Sequence, residues 1–430
     1  MRYAHIADLH LGSWRDQRMR DISLQAFFNA IDDCVNRNVD FILFAGDLFN
    51  TSLPSLDVLK LVVTKLRELR KKEIPIYVIA GSHDFSPSGK TMLEVLENAG
   101  LMINVCKGSV NPETKQLKLN FVTDHKTNAK ITGIIGRRGL LDKNYYENLD
   151  RESLEAESGY KIFMFHTTLT ELKPKHLEML ESQPASFLPK GFNYYAGGHI
   201  HHTTKVEITD YGTMTYPGAL FPNNFLELEK YSFGGYYIIN FDEDSKEGNT
   251  SYNNSNNIKN SEEGSKQQIE WIPIKVKDHI KFVLDCKHKT PEEVLGEVNE
   301  LFSNQDVKDK LITIRLFGEL SDGRVSDIKF QDLFTQLYSE GAHFVMKNSS
   351  QLTNKGFEEI KLGENEASQE EVEEGIIKEH LQQFKTFEAD KEFQLVKTLI
   401  QQLNTKKKEG EKSYDFQDRV VKELDVLLEK

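Results

Sequence analysis

Five apolar runs, each stopping at a histidine or an aspartate, constrain this chain more than any other feature of its sequence. Arg2 to Ala7 stops at Asp8 and His10, Phe41 to Gly46 at Asp47, and Ile76 to Gly81 at His83. Lys161 to Phe165 stops at His166, and Asn193 to Gly198 at His199 and His201. Short runs rich in β-branched and aromatic residues, closed by glycine or a polar side chain, read as buried strands. Ligands in open α/β sheets gather beyond the carboxyl ends of the strands, so the five stops predict one shared site.

Between these runs lie helical stretches. Asp21 to Arg37 puts Ile22, Ala26, Ile31 and Val35 on one face, and Ser55 to Lys72 does the same with Leu59, Val62, Val63, Leu66 and Leu69. Strand and helix in alternation make crossover units and an α/β fold. Leu117 to Val122 and Lys130 to Gly136 read as a hairpin, which makes the sheets mixed. Residues 242–268 are rich in Asn, Ser, Glu and Lys, and are expected to form a disordered insertion between two strands. The period then repeats on a smaller scale over 277–350, predicting a compact α+β domain. An acidic linker follows over 351–370, and residues 364–379 carry seven Glu and one Lys. Three apolar stripes in 371–430 (Val372 to Phe384, Phe393 to Leu403, Phe416 to Leu428) predict amphipathic helices that dock onto something else.

Composition narrows the function classes. A chain of 430 residues is long for one core, so two or three domains are expected. The net charge of −13 argues against generalised polyanion binding, because phosphate contacts need Lys and Arg. Any nucleic-acid contact must therefore be local. Cys34, Cys106 and Cys286 are scattered and support neither a disulfide framework nor a thiolate metal site. With no leader-like start and no long apolar run, a cytoplasmic, intracellular protein without membrane association is expected.

Aspartate and histidine together form a mixed oxygen and nitrogen donor set suited to Mn, Fe or Zn rather than calcium. Asp8 with His10, and His199 with His201, are each two apart on an extended chain and so share a direction. Adding Asp47 and His166 makes six donors, more than one tetrahedral ion needs. A central carboxylate can bridge two metals about 4 Å apart, which together clamp a phosphoryl group and supply hydroxide near neutral pH. Phosphoester hydrolysis is the reaction class that follows. Asp84, beside His83, is expected to orient a neighbour.

Asp8-Leu9-His10, Gly46-Asp47, Gly81-Ser82-His83-Asp84, His166 and Gly198-His199-Ile200-His201 resemble, in order, the motifs of calcineurin-like metallophosphoesterases. Ala7 to Gly12 and Ala45 to Phe49 look most like the DNA double-strand-break repair nucleases, of SbcD type in bacteria and Mre-eleven type in archaea. The resemblance implies a two-sheet layered sandwich flanked by helices over residues 1–276, a small α+β cap that shapes the DNA groove, and C-terminal helices. It implies an exonuclease and endonuclease that binds two Mn(2+) ions and processes the ends of double- and single-stranded DNA. Asp8, His10, Asp47 and His201 would hold one ion. Asp47, His166 and His199, with Ser82, would hold the other, and His83 would be the catalytic group at the leaving oxygen. DNA contact would come from loops around the site, from Arg15, Arg18 and Arg20, from Ser86 to Lys90, and from Arg137 with Arg138, and an SbcC-type coiled-coil ABC ATPase would bind the C-terminal helices. A homodimer would form through helices of the catalytic domain, with 55–72 and 88–96 as candidates.

Two positions depart from the family pattern. Ser82 stands where Asn is usual, a weaker ligand. Asn50 stands where many members carry a His associated with exonuclease action, and an amide does not shuttle protons at neutral pH. The resemblance therefore carries endonuclease cleavage over more firmly than exonuclease action. The alternative is a DNA-end tether with weakened catalysis.

Overall fold

The computed structural model describes residues 1–86, 91–137, 141–174, 177, 179–242, 267–303, 305–354, 377, 389–403, 405, 416 and 419–422. The expected insertion, apart from residues 242, 267 and 268, lies outside them. So do the acidic linker beyond residue 354, the stripe from Val372 to Phe384, and most of that from Phe416 to Leu428. Contacts divide the chain into two units, Met1–Thr353 and Asn354–Lys430. In the second, among the described residues, one helix runs over Ala389–Leu403 and carries Phe393, Val396 and Ile400 at the expected helical spacing.

The first unit is built on two six-stranded sheets. Strands β1 (Arg2–Ile6), β2 (Phe41–Ala45), β3 (Ile76–Ile79) and β4 (Ile103–Asn104) run parallel in sequence order. A small antiparallel hairpin, β5 (Gly108–Val110) and β6 (Leu117–Leu119), follows. The second sheet takes β7 (Val122–Thr123), β8 (Lys130–Gly133), β9 (Lys161–His166), β10 (Tyr194–Gly198), β11 (Thr204–Glu207) and β12 (Thr213–Tyr216), in the order β11-β12-β10-β9-β8-β7. Antiparallel strands β13 (Gly234–Phe241) and β14 (Gln267–Ile274) then return to the free side of β1 in the first sheet. Both sheets are mixed, as expected.

The hairpin expected over Leu117 to Gly136 forms only in part. The Asn120 N–H donates to the Lys107 carbonyl at 2.8 Å, which keeps Leu117–Leu119 with β5, and only Val122–Thr123 crosses to pair with β8.

Alternation along each strand builds the layers. Ala4, Ile6, Ile42, Phe44 and Val78 face outward onto two helices, α1 (Gln17–Asn36) and α2 (Leu56–Lys71). Tyr3, Phe41, Leu43 and Tyr77 face inward and meet Ile162, Met164, Tyr194 and Ala196 of the other sheet. Because the central strands are buried on both faces, their sequences read as continuous apolar runs. Asp16 and Ser55 cap the two helices through their side chains. The buried stripe of α1, which includes Met19, Ile22, Phe27 and Ile31, stabilises the packing by about 1.5–3 kcal/mol for each large side chain.

A histidine lies between the sheets. His5 is wholly buried, with Nδ1 2.9 Å from the Tyr194 hydroxyl and 3.2 Å from that of Thr215. Burial pushes its pKa down to about 3. Above pH ~6.5 the ring is neutral in folded and unfolded chains alike, so it adds no pH dependence there. Below that pH the unfolded chain takes up a proton the folded one refuses, and stability falls until the folded pKa is reached. Between pH 6 and 4 the unfolding free energy of the wild type is expected to drop more steeply than that of His5→Gln, by up to about 1.4 kcal/mol per pH unit. Urea titrations at three pH values measure the difference, and parallel slopes would exclude this role for His5.

After β14 come β15 (His279–Asp285), helix Pro291–Ser303, β16 (Leu311–Leu320), helix Phe330–Ser339 and β17 (Phe344–Asn354). They form a three-stranded sheet in the order β15-β16-β17 with its own core, centred on Val298, Ile314, Leu316 and Leu337. Its strands and helices alternate within the same unit as the two large sheets, and β17 runs on to Asn354, past the end expected at 350.

Candidate metal centre

The carboxyl ends of β1, β2 and β3 in one sheet and of β9 and β10 in the other open on the same place. Asp8 and His10 follow β1, Asp47 follows β2, His83 follows β3, His166 ends β9, and His199 and His201 follow β10. Backbone bonds tie the turns together. The N–H of Asp8 donates to the Gly46 carbonyl at 3.2 Å, that of His10 to the Asp47 carbonyl at 2.9 Å, and that of Gly136 to Ala80 at 2.8 Å across the sheets. Asp8, His10, Asp47 and His199 all adopt positive φ, at 50°, 43°, 52° and 88°. A non-glycine residue in that region costs about 1–3 kcal/mol, and such residues cluster at functional sites. Gly46, with φ +90°, and Gly198 leave room for the His166 ring: a Cβ on either would come within 2.6 Å of its Nδ1.

The side chains converge. Ligand-capable atoms lie within 4.8 Å of one another in three groups, Asp8 with His10 and His201, Asp8 with Asp47 and His166, and His10 with Asp47 and His83. His10 Nε2 is 3.1 Å from His201 Nε2 and 3.5 Å from Asp47 Oδ2, and His166 Nε2 is 3.2 Å from the same oxygen. The far side of two rings is engaged. His166 Nδ1 is 2.8 Å from the Ala45 carbonyl, and His201 Nδ1 is 3.0 Å from Glu227 Oε1. Both acceptors require a proton on Nδ1, so in each neutral ring Nε2 carries the lone pair and faces inward. His166 Nε2 is buried without a hydrogen-bond partner. Lone pairs facing carboxylate oxygens across such distances repel unless a cation or proton lies between them. This donor set therefore fits a pair of divalent ions.

Burial lowers His166 and His201, but Asp47 and Asp8 carry the first up to about 10, and Glu227 and Asp8 carry the second up to about 9, so each acid–imidazole pair draws positive charge to the place a cation would take. Burial raises Asp8 to about 6 against the pull of His201 and His166. Asp47 is held well below the usual carboxylate range: burial opposes this, but the charge of the nearby His166 ring, and then of His10, prevails. Burial lowers His10, and it lowers His199 to about 3.

Other expected residues fall as follows. The His199 N–H donates to both oxygens of Asp8 at 3.0 Å, and its ring lies 5.3 Å from that of His166. Its nitrogens join none of the three close groups among the described residues. Ser82 is buried, and its hydroxyl is 3.4 Å from Asp47 Oδ2. The His83 N–H donates to Asp47 Oδ1 at 2.7 Å, and its Nδ1 lies 2.8 Å from the Asn50 carbonyl. Asp84 accepts N–H bonds from Leu48, Phe49 and Gly81, which locks the Asp47 turn against the His83 turn. Burial first, then Asp47, pushes it up to about 7.

The arginines differ among themselves. Arg15 is exposed. Arg18 is paired with Asp16 and lies over the rings of Tyr338 and Phe344. Arg20 donates to the Trp14 and Arg15 carbonyls and so braces its own loop. Arg137 lies 4.5 Å over Phe85, next to the His83 turn, and Ser86 there is half-buried. Lys90 and Arg138 lie outside the described residues.

Sequence reasoning missed Glu227. It belongs to α3, the short helix Phe225–Tyr231, where Asn224 is the N-cap and Glu227 the third helical residue. Asn-x-x-Glu resembles the capping-box spacing, a signal visible in the sequence. The same carboxylate also accepts from His201.

Residues 1–203 match the family model for the calcineurin-like phosphoesterase. The chain is 29% identical over 254 residues to the "DNA double-strand break repair protein Mre11" of Methanopyrus kandleri, covering 56% of this chain and 54% of that protein. It is 27% identical over 392 residues to the protein of the same name from Methanococcus maripaludis, covering 88% of this chain and 91% of that one. It is 28% identical over 247 residues to the "Uncharacterized metallophosphoesterase YhaO" of Bacillus subtilis, covering 55% of this chain and 56% of the relative. The match thus spans about half of the first and third relatives and nearly all of the second.

Proposed function

We propose, from the match of residues 1–203 to the calcineurin-like phosphoesterase model, that the chain is an Mn-dependent DNA nuclease, exonuclease and endonuclease, acting in double-strand-break repair. The observation that carries this reading is the convergence of Asp8, His10, Asp47, His166 and His201 from two sheets onto atoms within a few ångströms. The DNA substrate is supported by similarity to proteins named for double-strand-break repair.

In this reading Asp8, His10, Asp47 and His201 hold one ion, and Asp47, His166, His199 and Ser82 hold the second. Such a pair polarises the phosphoryl oxygens and makes water a nucleophile near neutral pH. Asp47 stands between the two sets, with Asp84 fixing its turn. Arg137, stacked on Phe85, supplies positive charge beside the His83 turn for the phosphate backbone. Water adds to phosphorus in line, and the bond to the departing sugar oxygen breaks. His83, held through Nδ1 by the Asn50 carbonyl, gives that oxygen a proton from Nε2, and the proton that the attacking water loses makes good the balance. Residues 277–350 serve as a DNA-shaping cap, 351–370 as a linker, and 371–430 as the docking region for a coiled-coil ABC ATPase. The chain works as a homodimer.

Purified protein incubated with blunt duplex and single-stranded DNA is expected to cleave both in Mn, to stop with chelator, and to recover when Mn is restored. Cleavage that persists in chelator would overturn the metal mechanism. Turnover of cyclic nucleotides with no affinity for DNA at low salt would move the substrate to a small phosphodiester.

A further inference from the structure

Resting on the metal-centre reading above, we infer that helix α3 is a rigid link through which the cap sheet positions His201, so that Glu227 and Arg315 set the affinity of one metal ion without touching it. Glu227 and Glu229 lie two apart on this helix. At about 100° per residue they point to opposite sides. Glu227 faces the metal centre: Oε1 is 3.0 Å from His201 Nδ1 and 2.6 Å from Asn224 Nδ2, and Oε2 accepts the Asn223 N–H at 2.9 Å. All three partners are donors, so the carboxylate is held in one pose and fixes the plane and tautomer of the His201 ring.

Glu229 faces the other way, into the three-stranded sheet. Arg315 of β16 grips it with a fork, Nε at 2.8 and 2.9 Å from the two oxygens and Nη2 at 2.6 Å from one. The pair is largely buried, at 15% and 11% exposure, where a bidentate guanidinium–carboxylate contact is well defined in geometry. The Arg315 guanidinium also lies 5.3 Å over the Phe225 ring at the start of the same helix. Its far end is tied as well, because the Ser232 hydroxyl is 2.9 Å from Nδ1 of His279 on β15. A helix of two turns held at both ends by one sheet moves with that sheet.

The small sheet and its helix are tied to α1 as well, where Arg18 lies over the rings of Tyr338 and Phe344.

The test is Mn(2+) binding to the full chain, by calorimetry and by electron paramagnetic resonance, which separates a coupled pair from a lone ion. Removal of such an outer hydrogen bond typically weakens a metal site 10- to 100-fold. Glu227→Ala is expected to weaken one of two ions by about that factor and to leave the other unchanged. Arg315→Met is expected to weaken the same ion by about 3- to 10-fold. Combined with Glu227→Ala it should add nothing further, since both act through one side chain. The charge swap Glu229→Arg with Arg315→Glu is expected to recover most of the loss, which a merely unfolded variant could not do.

An Arg315→Met protein that melts normally and binds both ions as tightly as wild type would overturn the link to the cap. Unchanged affinity in Glu227→Ala would overturn the positioning role. Wild type that takes up no Mn would overturn the metal-centre reading itself, and this inference with it.

Discussion

His83→Ala is expected to lower DNA cleavage by about 10²- to 10⁴-fold, the usual contribution of a placed acid–base group, while both Mn ions stay bound. The imidazole has two features suited to a proton donor. Its turn is fixed, because the His83 N–H is held by Asp47 and the neighbouring Asp84 clasps Leu48 and Phe49. Its ring is also oriented, because Nδ1 lies against the Asn50 carbonyl. The ring stands edge-on to that of His10, with centroids 4.7 Å apart, close enough to serve as a ligand instead. Single-turnover cleavage at saturating Mn, with metal content measured on the same sample, separates the roles. Loss of one ion would make His83 a ligand, and a rate within threefold of wild type would remove it from the chemistry.

Gly198→Ala is expected to destabilise the protein by about 3 kcal/mol or more, at the upper end for overpacking. The added methyl would stand 2.0 Å from the Ala45 carbonyl oxygen and 2.6 Å from His166 Nδ1. These two atoms form the bond that orients His166. The clashing group is backbone in the centre of a sheet and cannot swing aside. Mn affinity should fall with stability. Gly296→Ala is the control: it lies within a helix with open space around its Cβ position, and should be neutral or stabilising by up to about 1 kcal/mol. Urea denaturation of both variants measures the contrast, and equal midpoints would show that the sheets accommodate the methyl.

The strands and the proposed ligands were legible because one physical cause produces both. A parallel strand covered on two faces must be apolar throughout, and it becomes polar where it leaves the core; Phe41–Ala45 and Asp47 show the change within two residues. Interactions that depend on a second, distant segment were not legible. The segment from Lys347 to Asn354 reads as polar and loop-like, yet it extends β17 because Leu352 packs into the small core. Arg18 looked like free charge after the first motif, and only the fold sets aromatic rings beneath it. Glu227 carried a local signal, the cap spacing with Asn224, which hid its second partner 26 positions away. Ser82 was noticed for what it lacks, whereas the structure sets its hydroxyl beside Asp47.

Four of the proposed ligand positions sit in the left-handed backbone region, at Asp8, His10, Asp47 and His199. Backbone bonds between the strand ends hold those bends, the Asp8 N–H on the Gly46 carbonyl and the His10 N–H on that of Asp47. The aim of each donor is thus set by the path of its turn, so inserting or deleting a single residue there would swing the side chains away from one another as surely as replacing them.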